Sequence, residues 1–253
     1  MGRNVSKEEL IAHKEEAISK LSSYLDFLIE SENPKLLGKS DKLSYWLKDW
    51  VSFLDFETEF SPSSLRRYKR GEIIKAHLGF NVGSEEGGLH YCVVMDKNNS
   101  KNSPIVTVIP LTSVKKTTDL SKLHPGNIYL GNELFRSLSA KISSVDTEAR
   151  NHLQELEAQI KALSDSVPTE TLIFLNKEIK KLKSEIDLRD RMKIEIFNMK
   201  RGSIALVGQI RTISKIRIYN PKTNLDTLSK VKLSNEKLDL LDQEILHNFT
   251  NRV

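Results

Sequence analysis

Residues 68–95 read YKRGEIIKAHLGFNVGSEEGGLHYCVVM, and residues 103–113 read SPIVTVIPLTS. Three apolar runs stand out here: Glu72–Leu78, Tyr91–Met95 and Ile105–Leu111. Their length and their Val and Ile content are those of strands. Gly79–Gly88, with four glycines and two glutamates, separates the first two, and the polar turn Asp96–Ser103 separates the last two. Short strands joined this tightly predict a small antiparallel barrel or sheet.

Before this stretch lie two helical patterns. Lys7–Ile29 carries Leu10, Ile11, Ala17, Ile18, Leu21, Leu25 and Leu28 at helical spacing, with Ser6 and Glu9 placed as a capping box. Asn33–Ser40, which contains Pro34 and Gly38, reads as a break. Asp41–Phe56 reads as a second amphipathic helix, and Pro62 marks the hinge into the strands. After Ser113, Asn127–Leu130 is a candidate strand, and then the period changes. From Glu133 to Leu163 apolar residues fall three and four apart, ending on Leu153, Leu156, Ile160 and Leu163. After a break at Ser164–Val167 the spacing resumes at Leu172, Leu175, Ile179, Leu182 and Ile186. This is the seam of an antiparallel helical hairpin. Its lysines, Lys177, Lys180, Lys181 and Lys183, fit a solvated face better than an RNA-binding run. Ser203–Val207 and Gln209–Tyr219 read as strands, and Ser234 caps a last helix to Phe249. The expected class is α+β, with three regions: a helical extension over 1–64, a sheet domain over 65–132 and 200–253, and a hairpin inserted at 133–199.

Charge divides the chain. The first 60 residues hold 8 Lys and Arg against 12 Asp and Glu, a net of −4, which leaves +9 for the remainder against the total of +5. A basic body suits an anionic partner such as nucleic acid. The acidic, aromatic segment Asp49–Phe60 invites two readings. Trp46, Trp50 and Leu54 complete a core, or the segment covers a basic groove and restrains it. No apolar run reaches membrane-spanning length, the N-terminus has no secretory core, and the lone Cys92 suits a buried thiol in a reducing cytoplasm. The histidines are scattered, so no metal site is expected, and no cofactor fingerprint is present.

Four motifs then occur in one order: Lys69-Arg70-Gly71-Glu72-Ile73, Gly83-Ser84-Glu85-Glu86-Gly87-Gly88, Pro110-Leu111-Thr112-Ser113 and Ala205–Ile213 (ALVGQIRTI). In these, over about Tyr68–Ser113 and Lys200–Phe249, the chain resembles the PemK/MazF toxins of bacterial type II toxin–antitoxin systems. The head and the hairpin fall outside that resemblance. It implies an SH3-like barrel that forms a homodimer, binds a cognate antitoxin and cleaves single-stranded RNA without a metal. The 2′-hydroxyl would attack the neighbouring phosphate. Where the family usually carries a catalytic Arg after Gly-Gly, this chain has His90, and where the family has Asp after QIRTI it has Ser214. The resemblance therefore assigns catalysis to His90 and Thr112. RNA contacts fall to Arg70, Ser84, Glu85, Ser113, Gln209 and Arg211. The loss of the Arg keeps two alternatives open: a protein-binding toxin of the gyrase-poison kind, or an inactive regulatory or scaffold protein.

Overall fold

A computed structural model describes residues 5–163, 168–199 and 202–251. The expected break at Ser164–Val167 lies outside the described residues. The chain divides into two compact units, residues 1–58 and 59–253.

The first unit holds α1 (Lys7–Ile29) and α2 (Pro34–Glu57). Ser6 and Glu9 form the expected capping box, each side chain bonding the other's backbone N–H. The expected break over Asn33–Ser40 is instead the N-cap and about the first two turns of α2. Asn33 accepts from Lys35 N as the cap, and Pro34 takes the first helical position, where its missing N–H costs nothing. Gly38 sits within the helix, an energetic cost of about 1 kcal/mol rather than a stop. Trp46 and Phe53 lie two turns apart on α2 with ring centroids at 6.2 Å, whereas Trp50 and Leu54 are exposed.

The second unit is built on seven antiparallel strands: β1 (Ile73–His77), β2 (Leu89–Val94), β3 (Ile105–Ser113), β4 (Asn127–Gly131), β5 (Ser203–Leu206), β6 (Arg211–Ser214) and β7 (Ile218–Asn220). Hydrogen bonding runs in the order β4-β5-β3-β2-β1-β7, and β6 pairs β3. The nine-residue β3 carries the sheet. Its first half, Ile105–Val108, pairs β6, its last three residues pair β5, and its other edge pairs β2. The expected single strand Gln209–Tyr219 is split by a one-turn 3-10 helix at Lys215–Arg217. This turn carries the chain from the β3 edge to the β1 edge, so the sheet curls. Lys215 is fully buried there, with Nζ donating to the Ser100 carbonyl at 2.8 Å.

Both faces of β1–β3 are buried, which is why those strands read as continuous apolar runs. Side-chain direction alternates along a strand. Ile73, Val93, Met95, Ile109 and Leu111 enter one core, and Ile74, Ala76, Cys92, Val94, Val106 and Val108 enter the other. The second core is completed by Leu65, Tyr68, Ile213 and Ile218. The first is covered by three helices: α3 (Glu133–Lys161), α4 (Thr169–Asn198) and α5 (Asn235–Phe249).

The helical hairpin is α3 against α4, with two distinct parts. Its base belongs to the sheet's core: Leu134, Leu138 and Met192 are buried, with Ile142, Val145 and Leu188 packed beside them. Its distal part has a separate cluster of Ala149, Leu156, Leu175 and Leu182. Four residues expected in the seam, Leu153, Ile160, Leu172 and Ile179, are exposed instead. His152 takes an inward place, with Nε2 2.7 Å from Glu178 and Nδ1 3.3 Å from Glu185. An imidazole between two carboxylates has partners on both nitrogens, which makes a polar residue tolerable in a helical seam.

Candidate active site

β2 starts before its apolar run and β3 ends after its own, and these extensions carry the candidate catalytic residues. β2 begins at Leu89, so His90 is a strand residue opposite Ala76 of β1. β3 runs on to Ser113, so Thr112 is a strand residue opposite Ile204 of β5. The last β2–β3 partners are Cys92 and Pro110. Continuing that register by two residues sets His90 opposite Thr112, on the same face.

The His90 ring is held on both sides. Nδ1 lies 3.1 Å from the Leu111 carbonyl, which belongs to the peptide joining Leu111 to Thr112. Nε2 lies 3.1 Å from a carboxylate oxygen of Glu86. Both neighbours are acceptors, so the ring donates to both only as the imidazolium. Both side chains of the His90–Glu86 pair are about a quarter exposed. Thr112 is half-buried, and among the described residues nothing hydrogen-bonds its hydroxyl.

Glu86 sits in the glycine-rich loop, and the loop's backbone is fastened at that residue. Glu86 N–H donates to Gln209 Oε1 at 2.6 Å. The Glu86 carbonyl accepts from Asn81 Nδ2 at 2.6 Å and from Arg211 Nη1 at 3.2 Å. Gln209 Nε2 also donates to the Ser84 carbonyl, and Arg211 Nη2 to Gln209 Oε1, both at 3.2 Å. Gly87 is required for this closure, because a Cβ there would lie 2.7 Å from the Gly79 carbonyl oxygen. Gln209, in the turn before β6, and Arg211, the first residue of β6, reach the loop from about 125 residues away in sequence.

Ser84, Glu85, Gln209 and Arg211 line an open cleft of about 560 Å³, together with Gly208 and Ile210. Four of the six expected RNA contacts therefore come together. Glu86 joins the cleft to His90, through its peptide on one side and its carboxylate on the other. Ser113 lies at the end of β3 opposite Ser203, half-buried. Arg70 does not join the group. One guanidinium nitrogen donates to the Met95 carbonyl at 2.6 Å and another pairs with Asp242 of α5. It ties α5 to the sheet, and Gly71 beside it adopts φ +80° against Leu238.

Two further groups frame the site. Cys92 is buried beside His90, and burial pushes its thiol up to about 12, so it is an inert structural thiol as expected. Tyr91 points to the opposite face from His90, where its hydroxyl and Lys75 Nζ both bond Glu195 of α4. Burial and the Glu195 hydrogen bond keep the Tyr91 phenol protonated well above its ordinary range. The reading of the sequence did not single out Glu86 as a member of this group. The signal was available in its position four residues before a histidine that replaces an expected arginine. Among the described residues, no three His, Cys, Asp or Glu side chains could hold a metal ion. Nor is any helix long and apolar enough to cross a membrane.

No curated protein matches the chain. A family model does, over residues 69–182, described as the PemK-like, MazF-like toxin of type II toxin-antitoxin system. The match takes in β1–β4, all of α3 and about half of α4, so the hairpin that was expected to fall outside the resemblance is partly within it. It stops before β5–β7, but β5 and β6 pair with β3, and β7 with β1, within one sheet. Over residues 69–182, which organise the sheet, the chain is similar to the PemK-like, MazF-like toxin of type II toxin-antitoxin system.

Proposed function

We propose that the chain is a toxin-like endoribonuclease that cleaves single-stranded RNA by attack of a ribose 2′-hydroxyl on the adjacent phosphate. The observation that carries this reading is the register of β2 and β3. Continued two residues past Cys92 and Pro110, it supports a pairing of His90 with Thr112, beside an open cleft of about 560 Å³ that adjoins Glu86. In the reaction the 2′-oxygen bonds to phosphorus and the bond from phosphorus to the 5′-oxygen breaks. The departing electron pair stays on the 5′-oxygen, which takes up a proton, and the 2′-hydroxyl proton goes to a base. The products are a 2′,3′-cyclic phosphate and a 5′-hydroxyl. His90 Nε2 supplies positive charge to the phosphorane, or a proton to the leaving oxygen. The Thr112 hydroxyl donates to a phosphoryl oxygen as negative charge develops. In the cleft, Gln209 and Arg211 present donors and acceptors to base edges, the usual means of reading unpaired RNA.

The proposed partners are single-stranded RNA, a cognate antitoxin and a second copy of the chain, in the cytoplasm. The test is incubation of the purified protein with cellular RNA in EDTA, followed by mapping of new 5′-hydroxyl ends. Discrete cut sites ending in cyclic phosphate support the reading, and intact RNA defeats it. One observation favours a second reading, a toxin that acts by binding a protein such as gyrase. The free ring nitrogen of His90 is already taken by Glu86. Gyrase inhibition without RNA cleavage would select that reading.

A further inference from the structure

The His90 ring has one nitrogen committed to the fold and one directed at the site. Nδ1 is bound to the Leu111 carbonyl, which fixes the ring plane and leaves Nε2 as the atom available to substrate. A carboxylate oxygen of Glu86 stands 3.1 Å from that atom. Carboxylate and phosphoryl oxygens carry the same sign of charge and accept charge-assisted hydrogen bonds of similar length. Two anions cannot share one N–H, so whatever binds there must first move Glu86.

The Glu86 peptide is in turn fastened by the residues that line the neighbouring cleft. Gln209 accepts its N–H, and Arg211 donates to its carbonyl together with Asn81. A nucleotide in the cleft competes for those same Gln209 and Arg211 atoms. Once it takes them, Glu86 loses two of its three main-chain ties.

We propose that the Glu86 carboxylate is a built-in occupant of the phosphate position on His90. RNA displaces it, and Gln209 and Arg211 couple that displacement to recognition in the cleft. Glu86 is thus a specificity-determining residue: RNA that cannot engage the cleft leaves the carboxylate on His90. The inference rests on the endoribonuclease reading for its substrate, and its anion-binding half stands apart from that reading.

The experiment compares the full chain with Glu86→Gln and Glu86→Ala. The loop is tied through the Glu86 main chain, which both variants retain. Inorganic phosphate is the probe, titrated while the His90 ring signals are followed by NMR and assigned by their loss in His90→Gln. Both Glu86 variants are expected to bind phosphate about tenfold tighter than the parent, the scale of one partly buried charge pair at this separation. Cleavage of cellular RNA should also rise in kcat/KM. Phosphate affinity equal to the parent's overturns the proposal. So does a fall in kcat at saturating RNA, which would place Glu86 in the chemistry itself. If neither parent nor variant cleaves RNA, the endoribonuclease reading fails while the phosphate titration still decides the role of Glu86.

Discussion

Removing the helical hairpin at two different heights should give two different proteins. An inserted hairpin whose two arms face each other along one seam would let a short loop replace residues 133–199. The packing divides the arms instead. Leu134, Leu138 and Met192 are at most 2 % exposed and share a core with Ile73, Val93, Ile109 and Leu111 of the sheet. Burial of one such side chain contributes about 1.5–3 kcal/mol, so the three together are worth roughly 5–9 kcal/mol. That is comparable to the whole stability of a domain, about 5–15 kcal/mol, before the Glu195 bonds to Lys75 and Tyr91 are lost. A variant lacking 133–199 should therefore be unfolded in the sheet. A variant lacking only 148–186 loses the separate cluster of Ala149, Leu156, Leu175 and Leu182. It joins the arms where Asp146 and Arg189 already pair at 3.3 Å. Its urea midpoint should move by less than about 1 kcal/mol equivalent, as for changes outside the core. Both tryptophans, Trp46 and Trp50, lie in the N-terminal unit, so their fluorescence is the wrong probe. Hydrogen exchange of the β2 and β3 amides reads the sheet directly. Parent-like protection in the variant lacking 133–199, or none in the variant lacking 148–186, would refute the division.

Three other outcomes are expected. His90→Ala and Thr112→Ala should each lower RNA cleavage by about 10²-fold, the scale of a lost acid–base or charge-stabilising group; a folded variant with the parent's single-turnover rate removes that residue from the mechanism. Arg66 and Glu72 pair at 2.7 Å with side chains at most 7 % exposed, so Arg66→Met should cost about 3–5 kcal/mol in urea unfolding, and the double change Arg66→Met with Glu72→Met distinctly less. Lys141 Nζ donates to the carbonyls of Asp226, Thr227 and Ser229, and Lys141→Met should cost about 3 kcal/mol by leaving them uncapped. Burial holds the Lys141 amine down at about 8 against its ordinary 10.5. Over that window the unfolded chain binds more protons, so parental stability should rise with pH there relative to Lys141→Met; an unchanged difference across the window would show that the amine titrates normally.

What the sequence could disclose follows from the range of the interaction involved. The strands of residues 72–111 were legible because alternation is local and both faces are buried. The caps at Ser6 and Ser234 were legible because their partners lie three residues on. Pro34 was misread because the same ring that stops a helix from within also starts one. The failures at the site are of another kind. Arg70 meets Asp242, 172 positions away, and stands apart from the cleft residues. Gln209 and Arg211 meet the Glu86 peptide, a contact that no periodicity encodes.

The exchange at position 90 is clearer in this light. An arginine there would present a permanent positive charge to any anion that reached the site. A histidine there is positive only as the imidazolium, and its own loop then supplies the counter-charge, the Glu86 carboxylate 3.1 Å from Nε2. Under the proposed displacement, the attraction for phosphate is conditional on moving a carboxylate whose main chain the cleft residues fasten. A family motif with one residue changed thus need not be a weakened copy. The change at His90 and the charge at Glu86 meet at one atom, Nε2, and on the proposed reading their difference from a lone arginine sets when the site binds RNA.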